Sequence, residues 1–213
     1  MENRVEKQLE TLMNRYPELS GAKKEIFEAY QILENCYAKG GKLLVAGNGG
    51  SEHIVGELMK GFKLPRKSEA EFAERLVAEN KELGLVLAES LQGALPAIAL
   101  DGHPALSTAY MNDCEPLLCF AQQVNGYGKT GDVFLGISTS GNSKNVLYAA
   151  TTAHAKGMKV ISLTGAKSSK LEQMSDVCIK VPQTETYMIQ ELHLPVYHCL
   201  CLMLEERFFG EKN

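Results

Sequence analysis

One stretch of the chain decides the fold, and it reads Val133-Phe134-Leu135-Gly136-Ile137-Ser138-Thr139-Ser140-Gly141-Asn142-Ser143. Its first half is a short apolar run that favours a strand, and its second half is a loop rich in hydroxyl side chains and glycine. A helical pattern follows over residues 145–155. A strand that passes through a loop into a helix is the first part of a βαβ unit. The stretch therefore predicts an α/β protein.

Short apolar runs that favour strands recur on both sides of this stretch. They occupy residues 43–46, 97–100, 160–164 and 177–181. Helical patterns separate these runs, and such alternation is typical of a parallel sheet that is covered on both faces. We expect a mainly parallel five-stranded α/β sheet with helices on both faces.

The remaining patterns are helical and indicate one domain over residues 1–213. Residues 1–39 carry apolar side chains at helical spacing and are interpreted as a helical N-terminal extension to an α/β core over 40–209. Residues 65–92 are rich in Glu, Lys, Ala and Leu and predict a solvent-exposed helical insertion. Residues 187–209 are apolar around much of a helix, so the last helix should be largely buried.

Composition excludes several classes of partner. The net charge of this 213-residue chain is −4 with both signs mixed along it, which argues against a nucleic-acid-binding surface. No apolar run approaches the roughly 20 residues that span a bilayer, and the first residues lack a signal-peptide pattern. We therefore expect a cytoplasmic protein with no membrane partner. The six cysteines show no CxxC pair and are expected to be reduced, mostly buried thiols.

The loop after residue 137 is the strongest candidate for a binding site. Ser138, Thr139, Ser140 and Ser143 offer four hydroxyl groups at the start of a helix, where backbone N–H groups and the helix dipole favour an anion. These donors could hold a phosphate dianion without a nearby Arg or Lys. The alternatives are an ordinary serine-capped turn and the GxSxG elbow of hydrolases, but the second glycine comes one residue too late for that elbow.

A second glycine-rich loop follows the first predicted strand, and it reads Gly47-Asn48-Gly49-Gly50-Ser51. Glycine lets the backbone approach a ligand closely. The next helix is expected to open with Glu52 and His53, and a spacing of four places His53 and Glu57 on one helical face. Such a pair suits a divalent metal or acid–base chemistry. The alternative is that the pair forms only a hydrogen bond on the protein surface, as is common at this spacing.

The last helix carries Gln190 and His198 among apolar residues. Eight residues span about 12 Å of straight helix, so one metal could bind both only through extended side chains, a bend at Pro195 or a second subunit. Taken alone, His198 is more typical of a hydrogen-bonded core histidine. We interpret His103, His154 and His193 as structural.

These segments, in this order, resemble the sugar isomerase (SIS) domain family and especially its phosphoheptose isomerase branch. The resemblance rests on Gly47 to Ser51, His53 with Glu57, Asn112-Asp113, Gly136 to Ser143, and Ile189 to His193 with His198. It covers about residues 40–209. It implies a flavodoxin-like fold and isomerisation of D-sedoheptulose 7-phosphate to D-glycero-D-manno-heptose 7-phosphate through an enediol. It also implies a homotetramer with active sites between subunits.

The resemblance further implies one zinc ion per active site and a set of site residues. Zinc would be held by His53, Glu57, Gln190 and His198. Substrate would contact Asn48, Gly49, Gly50, Ser51, Asn112, Asp113, Ser138, Thr139, Ser140, Ser143 and Gln190. We expect Glu57 to be the catalytic base and His198 its acid partner, because moving a proton between C1 and C2 requires both.

Two points remain open at this stage. In the family, a few more residues separate the glycine loop from the helix histidine, so either residues are deleted before His53 or a segment is missing from this sequence.

Alternative functions are a non-catalytic SIS module of the type that associates with a replication initiator, and an isomerase of another phosphosugar. Ser140 and His198 favour the enzyme, because both differ in the non-catalytic relative.

Overall fold

The computed structural model describes residues 2–49 and 53–211, and within them one five-stranded sheet forms the centre of the fold. The strands are β1 (Leu43–Gly47), β2 (Ala97–Ala99), β3 (Val133–Ile137), β4 (Lys159–Thr164) and β5 (Val177–Lys180). All neighbours pair in parallel, in the order β2-β1-β3-β4-β5. This confirms the predicted sheet and the flavodoxin-like fold, whose strand order it reproduces.

Successive residues of β1 point to opposite faces of the sheet and enter different cores. Leu43 and Val45 pack with the N-terminal helices and the last helix, whereas Leu44 and Ala46 pack against helices on the other face. Because side chains alternate along a strand, a strand that is apolar throughout needs cover on both sides. Both β1 and β3 are buried along their whole length.

Helices cover both faces of the sheet. The first face carries α1 (Glu2–Arg15), a 3₁₀ turn (Pro17–Ala22), α2 (Lys23–Ala38), α3 (Ile54–Met59) and α10 (Thr186–Phe209). The second face carries α7 (Cys119–Tyr127), α8 (Lys144–Ala155) and α9 (Lys170–Met174), and α6 (Pro104–Asp113) precedes α7. The helical N-terminal region is confirmed, and α1 packs directly on α10.

The predicted helical insertion is a hairpin of two helices, α4 (Ala70–Glu79) and α5 (Lys81–Ser90). Its ends are joined by a β-bridge between Lys67 and Gln92 and by a hydrogen bond from Ser68 Oγ to the Leu91 carbonyl, 2.9 Å long. No residue of α4 is buried, and Gly84 alone is buried in α5, both helices being described throughout. The prediction of a solvent-exposed insertion over residues 65–92 is confirmed for the two helices, whereas Arg66, which precedes them in that range, is buried.

The last helix, α10, runs without interruption through Pro195 and is largely buried, as predicted. Its first half exposes Tyr187, Gln190, Glu191 and Leu194, which recur at helical spacing and form one exposed stripe.

The cysteines are free thiols, and Cys36, Cys119, Cys199 and Cys201 are buried as expected. No described helix combines the length and the apolar character needed to cross a membrane.

Candidate active site

The strand order reverses between β1 and β3, and the two predicted loops lie at this point. In an open α/β sheet, ligands bind in the crevice beyond the carboxyl ends of the strands where the order reverses. Asn48 follows β1, and its Oδ1 accepts a 2.8 Å hydrogen bond from Nδ2 of Asn145 in the first turn of α8. Asn145 was not among the predicted site residues, because its partner lies 97 positions away in the sequence.

The loop after β3 is a tight turn whose hydroxyl groups contact one another. Ser138 is buried, and its Oγ lies 3.0 Å from Oγ of Ser143. Gly141 has φ of +62°, and its N–H donates to the Ser138 carbonyl over 3.0 Å. Ser143 occupies the N-cap position of α8, but its side chain makes no capping hydrogen bond. Ser143 is therefore not an ordinary serine cap, whereas Ser140 Oγ accepts a 3.2 Å hydrogen bond from the Asn142 N–H, as in a serine turn.

Thr139 and Ser140 line a small cleft of about 210 Å³. The other wall is formed by the β4–α9 loop, including Lys167, and by Gln183, Thr184 and Thr186. Lys167 is exposed, and no carboxylate among the described residues pairs with it. The sequence analysis required no cation near this loop, but the fold supplies one. A lysine beside hydroxyl groups and a helix N-terminus suits a phosphate.

A larger cavity, of about 600 Å³, brings together the residues predicted for catalysis. It is lined by Gly49, His53, Glu57 and His198, together with Asp101 and Tyr197. Asp101 follows β2 and was not among the predicted residues. A neighbouring cavity of about 390 Å³ is lined by His53, Gln190 and Ile137, the last residue of β3. His53 borders both cavities.

The helix that carries Glu57 begins later in the chain than the predicted start at Glu52 and His53. It begins at Ile54, and His53 occupies the N-cap position with helical backbone angles, φ −57° and ψ −27°. Glu57 pairs with Lys60 through Oε2 at 3.2 Å. The prediction that His53 and Glu57 share a face agrees with their common cavity. Glu52, Gly50 and Ser51 lie outside the described residues, so the predicted roles of Gly50 and Ser51 stay predictions.

His198 is half-buried between aromatic rings. Its ring centroid lies 5.1 Å from that of Phe62 and 5.0 Å from that of Tyr197. Burial lowers the pKa of His198, Glu57 opposes this shift, and His53 adds to it. Burial raises the pKa of Tyr197, and the thiol of Cys201 and the carboxyl of Glu57 raise it further. His198 is therefore neutral at pH 7 and able to accept a proton or donate one from its ring N–H.

The predicted zinc ligands have suitable chemistry but do not converge in one chain. Imidazole nitrogen and carboxylate oxygen are ligands that zinc prefers, and His53, Glu57 and His198 share a cavity. Gln190 lies on the exposed stripe of α10 and lines the neighbouring cavity. Within residues 2–49 and 53–211, no three His, Cys, Asp or Glu side chains are grouped closely enough to hold a metal.

The structure does not bring Asn112 and Asp113 to either cavity. They end α6, are exposed, and are joined by a 2.8 Å hydrogen bond from Asn112 Nδ2 to Asp113 Oδ1. Their contact with substrate stays a prediction.

Comparisons with known proteins agree with this arrangement. The SIS domain family model matches residues 72–165. A phosphoheptose isomerase of Rhodospirillum rubrum is 35% identical over 206 residues, which is 97% of this chain and 98% of the relative. A second, from Aneurinibacillus thermoaerophilus, is 36% identical over 180 residues, covering 83% of this chain and 78% of the relative.

Solved structures give the same result. The phosphoheptose isomerase of Francisella tularensis aligns with a TM-score of 0.73 and 31% identity, over 96% of this chain and 97% of the other. The enzyme GmhA from Neisseria gonorrhoeae, also a phosphoheptose isomerase, aligns with a TM-score of 0.66 and 30% identity, over 90% and 95% of the two chains.

Proposed function

This chain belongs to the phosphoheptose isomerase branch of the SIS-domain family, and on that premise we propose that it converts D-sedoheptulose 7-phosphate into D-glycero-D-manno-heptose 7-phosphate. As a member of this branch, it is an isomerase that interconverts aldose and ketose phosphates. One observation of the structure supports a sugar phosphate as substrate most strongly. Thr139 lines the hydroxyl-rich cleft and Ile137 lines the cavity of about 390 Å³, so both open at the same end of β3. His53 borders that cavity and also the cavity that holds Glu57 and His198. A sugar phosphate has a phosphate at one end and a reacting carbonyl at the other.

The phosphate end of the substrate would bind at the loop after β3. Thr139, Ser140 and backbone N–H groups at the start of α8 donate hydrogen bonds, and Lys167 supplies a positive charge from the facing loop. This end of the sugar does not react, so these contacts orient the C1–C2 end toward the second cavity.

The reaction moves one proton between C1 and C2 of the sugar. In the direction from ketose to aldose, Glu57 removes a proton from C1, and the electron pair of that bond forms the C1=C2 double bond. The C2 carbonyl oxygen takes a proton from the ring N–H of His198, which gives a neutral enediol. His198 then removes the proton from O1, C1 becomes the carbonyl carbon, and C2 takes the proton held by Glu57. Both side chains return to their starting states.

We also propose a zinc ion held by His53, Glu57, Gln190 and His198. When bound, zinc would polarise the carbonyl and hydroxyl oxygens as a Lewis acid. The supporting observation is the donor chemistry of two imidazoles and a carboxylate around one cavity. Metal analysis of the purified protein tests this, with about one zinc per chain expected for the wild type and less for His53→Ala. Full zinc in that variant would contradict the assignment of His53.

A homotetramer with active sites between subunits is part of the same proposal. The stripe of α10 that carries Gln190 also exposes 59% of Tyr187 and 43% of Leu194, which are apolar surfaces that a second subunit would cover. Sedimentation velocity of the purified protein should give the mass of four chains, and a single 23.4 kDa species would contradict this.

We place the enzyme in the cytoplasm, because a charged sugar phosphate does not cross a bilayer unaided.

Incubation with sedoheptulose 7-phosphate tests the function directly. We expect the anomeric proton of an aldose phosphate to appear in the ¹H NMR spectrum, with incorporation of one deuterium at C2 in heavy water. A parallel incubation with a metal chelator reports on the zinc. If the sugar phosphate binds tightly and no product forms, the chain is instead a non-catalytic SIS module.

A further inference from the structure

A buried ion pair links the helix of Glu57 to the helix of His198. Arg66 lies in the segment after α3, and Glu205 lies two turns beyond His198 on α10. Their side chains are 0% and 1% exposed, and Arg66 Nε donates to Glu205 Oε1 over 2.9 Å. A buried ion pair seldom adds net stability over apolar residues of the same size, so its presence requires another explanation.

Arg66 binds the carboxyl end of α3 as well as Glu205. Its Nη2 donates to the Glu57 carbonyl over 3.0 Å, and its Nη1 donates to the Leu58 carbonyl over 2.7 Å. These carbonyls lie in the last turn of a helix, where intrahelical partners are lacking. The helix has only six residues, so it cannot maintain its own geometry without such contacts. The planar guanidinium therefore fixes the backbone of Glu57 to α10.

Glu205 holds the backbone of the segment that follows α3. Its carboxylate accepts hydrogen bonds from the N–H groups of Phe62, Lys63 and Leu64, at 2.8, 2.8 and 2.9 Å. Phe62 is the residue whose ring packs against His198. Burial favours the neutral acid, but hydrogen bonds from Phe62, Leu64, Arg66 and Lys63 outweigh it and lower the pKa of Glu205. The carboxylate is thus charged and fully bound at neutral pH.

His198 and Glu205 are seven residues apart on α10, so they lie on the same side of the helix, about 10 Å apart along its axis. One connected set of hydrogen bonds runs from Glu205 through Arg66 to the Glu57 backbone. A second connection runs from Glu205 through the hydrogen bond to the Phe62 N–H and then through the packing of the Phe62 ring on the His198 ring. We propose that Arg66 and Glu205 are positioning residues that hold the Glu57 carboxylate and the His198 imidazole at the separation the proton transfer requires. The inference rests on the proposed function of these two side chains.

Two conservative variants test the proposal. Arg66→Lys keeps the charge but cannot bind Glu205 and both carbonyls at once, and Glu205→Gln keeps the shape but loses the charge. Both side chains are buried, and neither lines the cavities of the site. We therefore expect KM for sedoheptulose 7-phosphate to stay within about twofold while kcat falls about 100-fold, as for a small misplacement of reacting groups. The matched control is Asp132→Asn.

Asp132 is a suitable control because it is also a buried, hydrogen-bonded carboxylate, but it lies far from the site. It is buried, accepts backbone N–H bonds from Lys42 and Lys129 at 3.0 and 2.8 Å, and pairs with the Lys42 ammonium. It precedes β3, at the opposite end of the sheet from the site. We expect Asp132→Asn to lower the thermal midpoint without changing kcat. The contrary result is that, in Arg66→Lys, Glu205→Gln and Asp132→Asn alike, the loss of kcat equals the loss of folded protein. The ion pair would then have a purely structural role, and the proposal would be wrong.

Hydrogen exchange of the α3 amides provides a readout that does not depend on turnover. In Arg66→Lys we expect these amides to exchange at least about tenfold faster than in the wild type, with no change in Asp132→Asn. Unchanged exchange in α3 would overturn the proposal even if kcat falls. If the wild type does not turn over the heptose phosphate, the proposed function fails by itself, and the exchange of α3 still decides whether Arg66 holds this helix.

Discussion

His193 illustrates how burial alone sets the charge of a single residue. Its side chain is 3% exposed, and its Nε2–H donates to the Thr164 carbonyl over 3.3 Å. Burial lowers the pKa of His193 to about 4, and the hydrogen bond to Thr164 only partly opposes this. The imidazole is thus a neutral core group, as the sequence analysis interpreted it.

The acid sensitivity of folding should depend on His193. Between its unfolded pKa near 6.5 and its folded pKa of about 4, the unfolded chain binds a proton that the folded chain does not, so stability falls as pH falls. From pH 7 to pH 4.5 this residue should account for roughly 2 kcal/mol of lost unfolding free energy. Urea denaturation at both pH values should show a correspondingly smaller loss in His193→Gln. An equal loss in both proteins would contradict this.

Glu57 should be indispensable for turnover. Glu57→Gln removes the group that takes the C1 proton, and we expect kcat to fall by roughly 10²- to 10⁴-fold with the fold retained. Glu71→Gln is the matched control, since Glu71 also forms an ion pair within a helix, to Arg75 at 2.8 Å. Steady-state kinetics of both variants make the comparison, and near-normal kcat in Glu57→Gln would remove this residue from the mechanism.

Lys167 should act on binding of the phosphate and not on the chemical step. We expect Lys167→Ala to raise KM about tenfold with kcat nearly unchanged, which corresponds to the loss of one charge-assisted hydrogen bond. Lys156→Ala is the control, because Lys156 lies beyond the opposite end of α8 and binds the Asn125 carbonyl. A fall in kcat without a change in KM would show that Lys167 has another role.

At the scale of elements, the turn between β3 and α8 depends on Gly141. Its φ is +62°, and a Cβ there would lie 2.2 Å from Ser169 Oγ in the N-cap of α9. Gly141→Ala would therefore combine backbone strain with a steric clash and push the loop away from the cleft. We expect a loss of at least roughly 2 kcal/mol in unfolding free energy and a raised KM.

Gly40→Ala separates the two causes of that loss. Gly40 follows the C-cap of α2 with φ of +74°, but no atom of residues 2–49 and 53–211 beyond its chain neighbours lies within 4 Å of an added Cβ. We expect this variant to lose only the part that comes from backbone strain, about 1 kcal/mol, and to keep its KM. Denaturation curves and kinetics of both variants provide the test. Equal losses would show that the contact with Ser169 is unimportant.

At the scale of the whole molecule, the α4–α5 hairpin should be separable from the fold. Its ends meet at the Lys67–Gln92 bridge, and the two helices bury almost nothing. Replacing residues 69–90 by a short Gly/Ser turn should leave the circular dichroism of the remaining elements and the thermal midpoint nearly unchanged. Removal of residues 2–15 is the contrasting case, because α1 buries Val5, Leu9 and Leu12 against the core, and it should prevent folding.

Local pattern was sufficient for the strands and for the last helix. Residues 133–137 were predicted as a strand and form β3 with the same bounds, and the predicted last helix at 187–209 begins one residue earlier, at Thr186. Both follow from the spacing of apolar side chains, which is a local property of the chain. The order of the strands came from the resemblance to a known family, since periodicity does not specify which strands are neighbours.

The chemical groups of the site were likewise readable from the chain, because His53, Glu57, Ser138 to Ser143 and His198 lie in recognisable local motifs. The distant residues that hold these groups in place could not be predicted from the sequence. Asn48 meets Asn145 across 97 positions, Arg66 meets Glu205 across 139, and Lys167 reaches the phosphate cleft from a different loop. A polar residue carries no local sign of the distant partner with which it will be buried. Such pairs exist only once the sheet has brought the ends of separate strands and helices together.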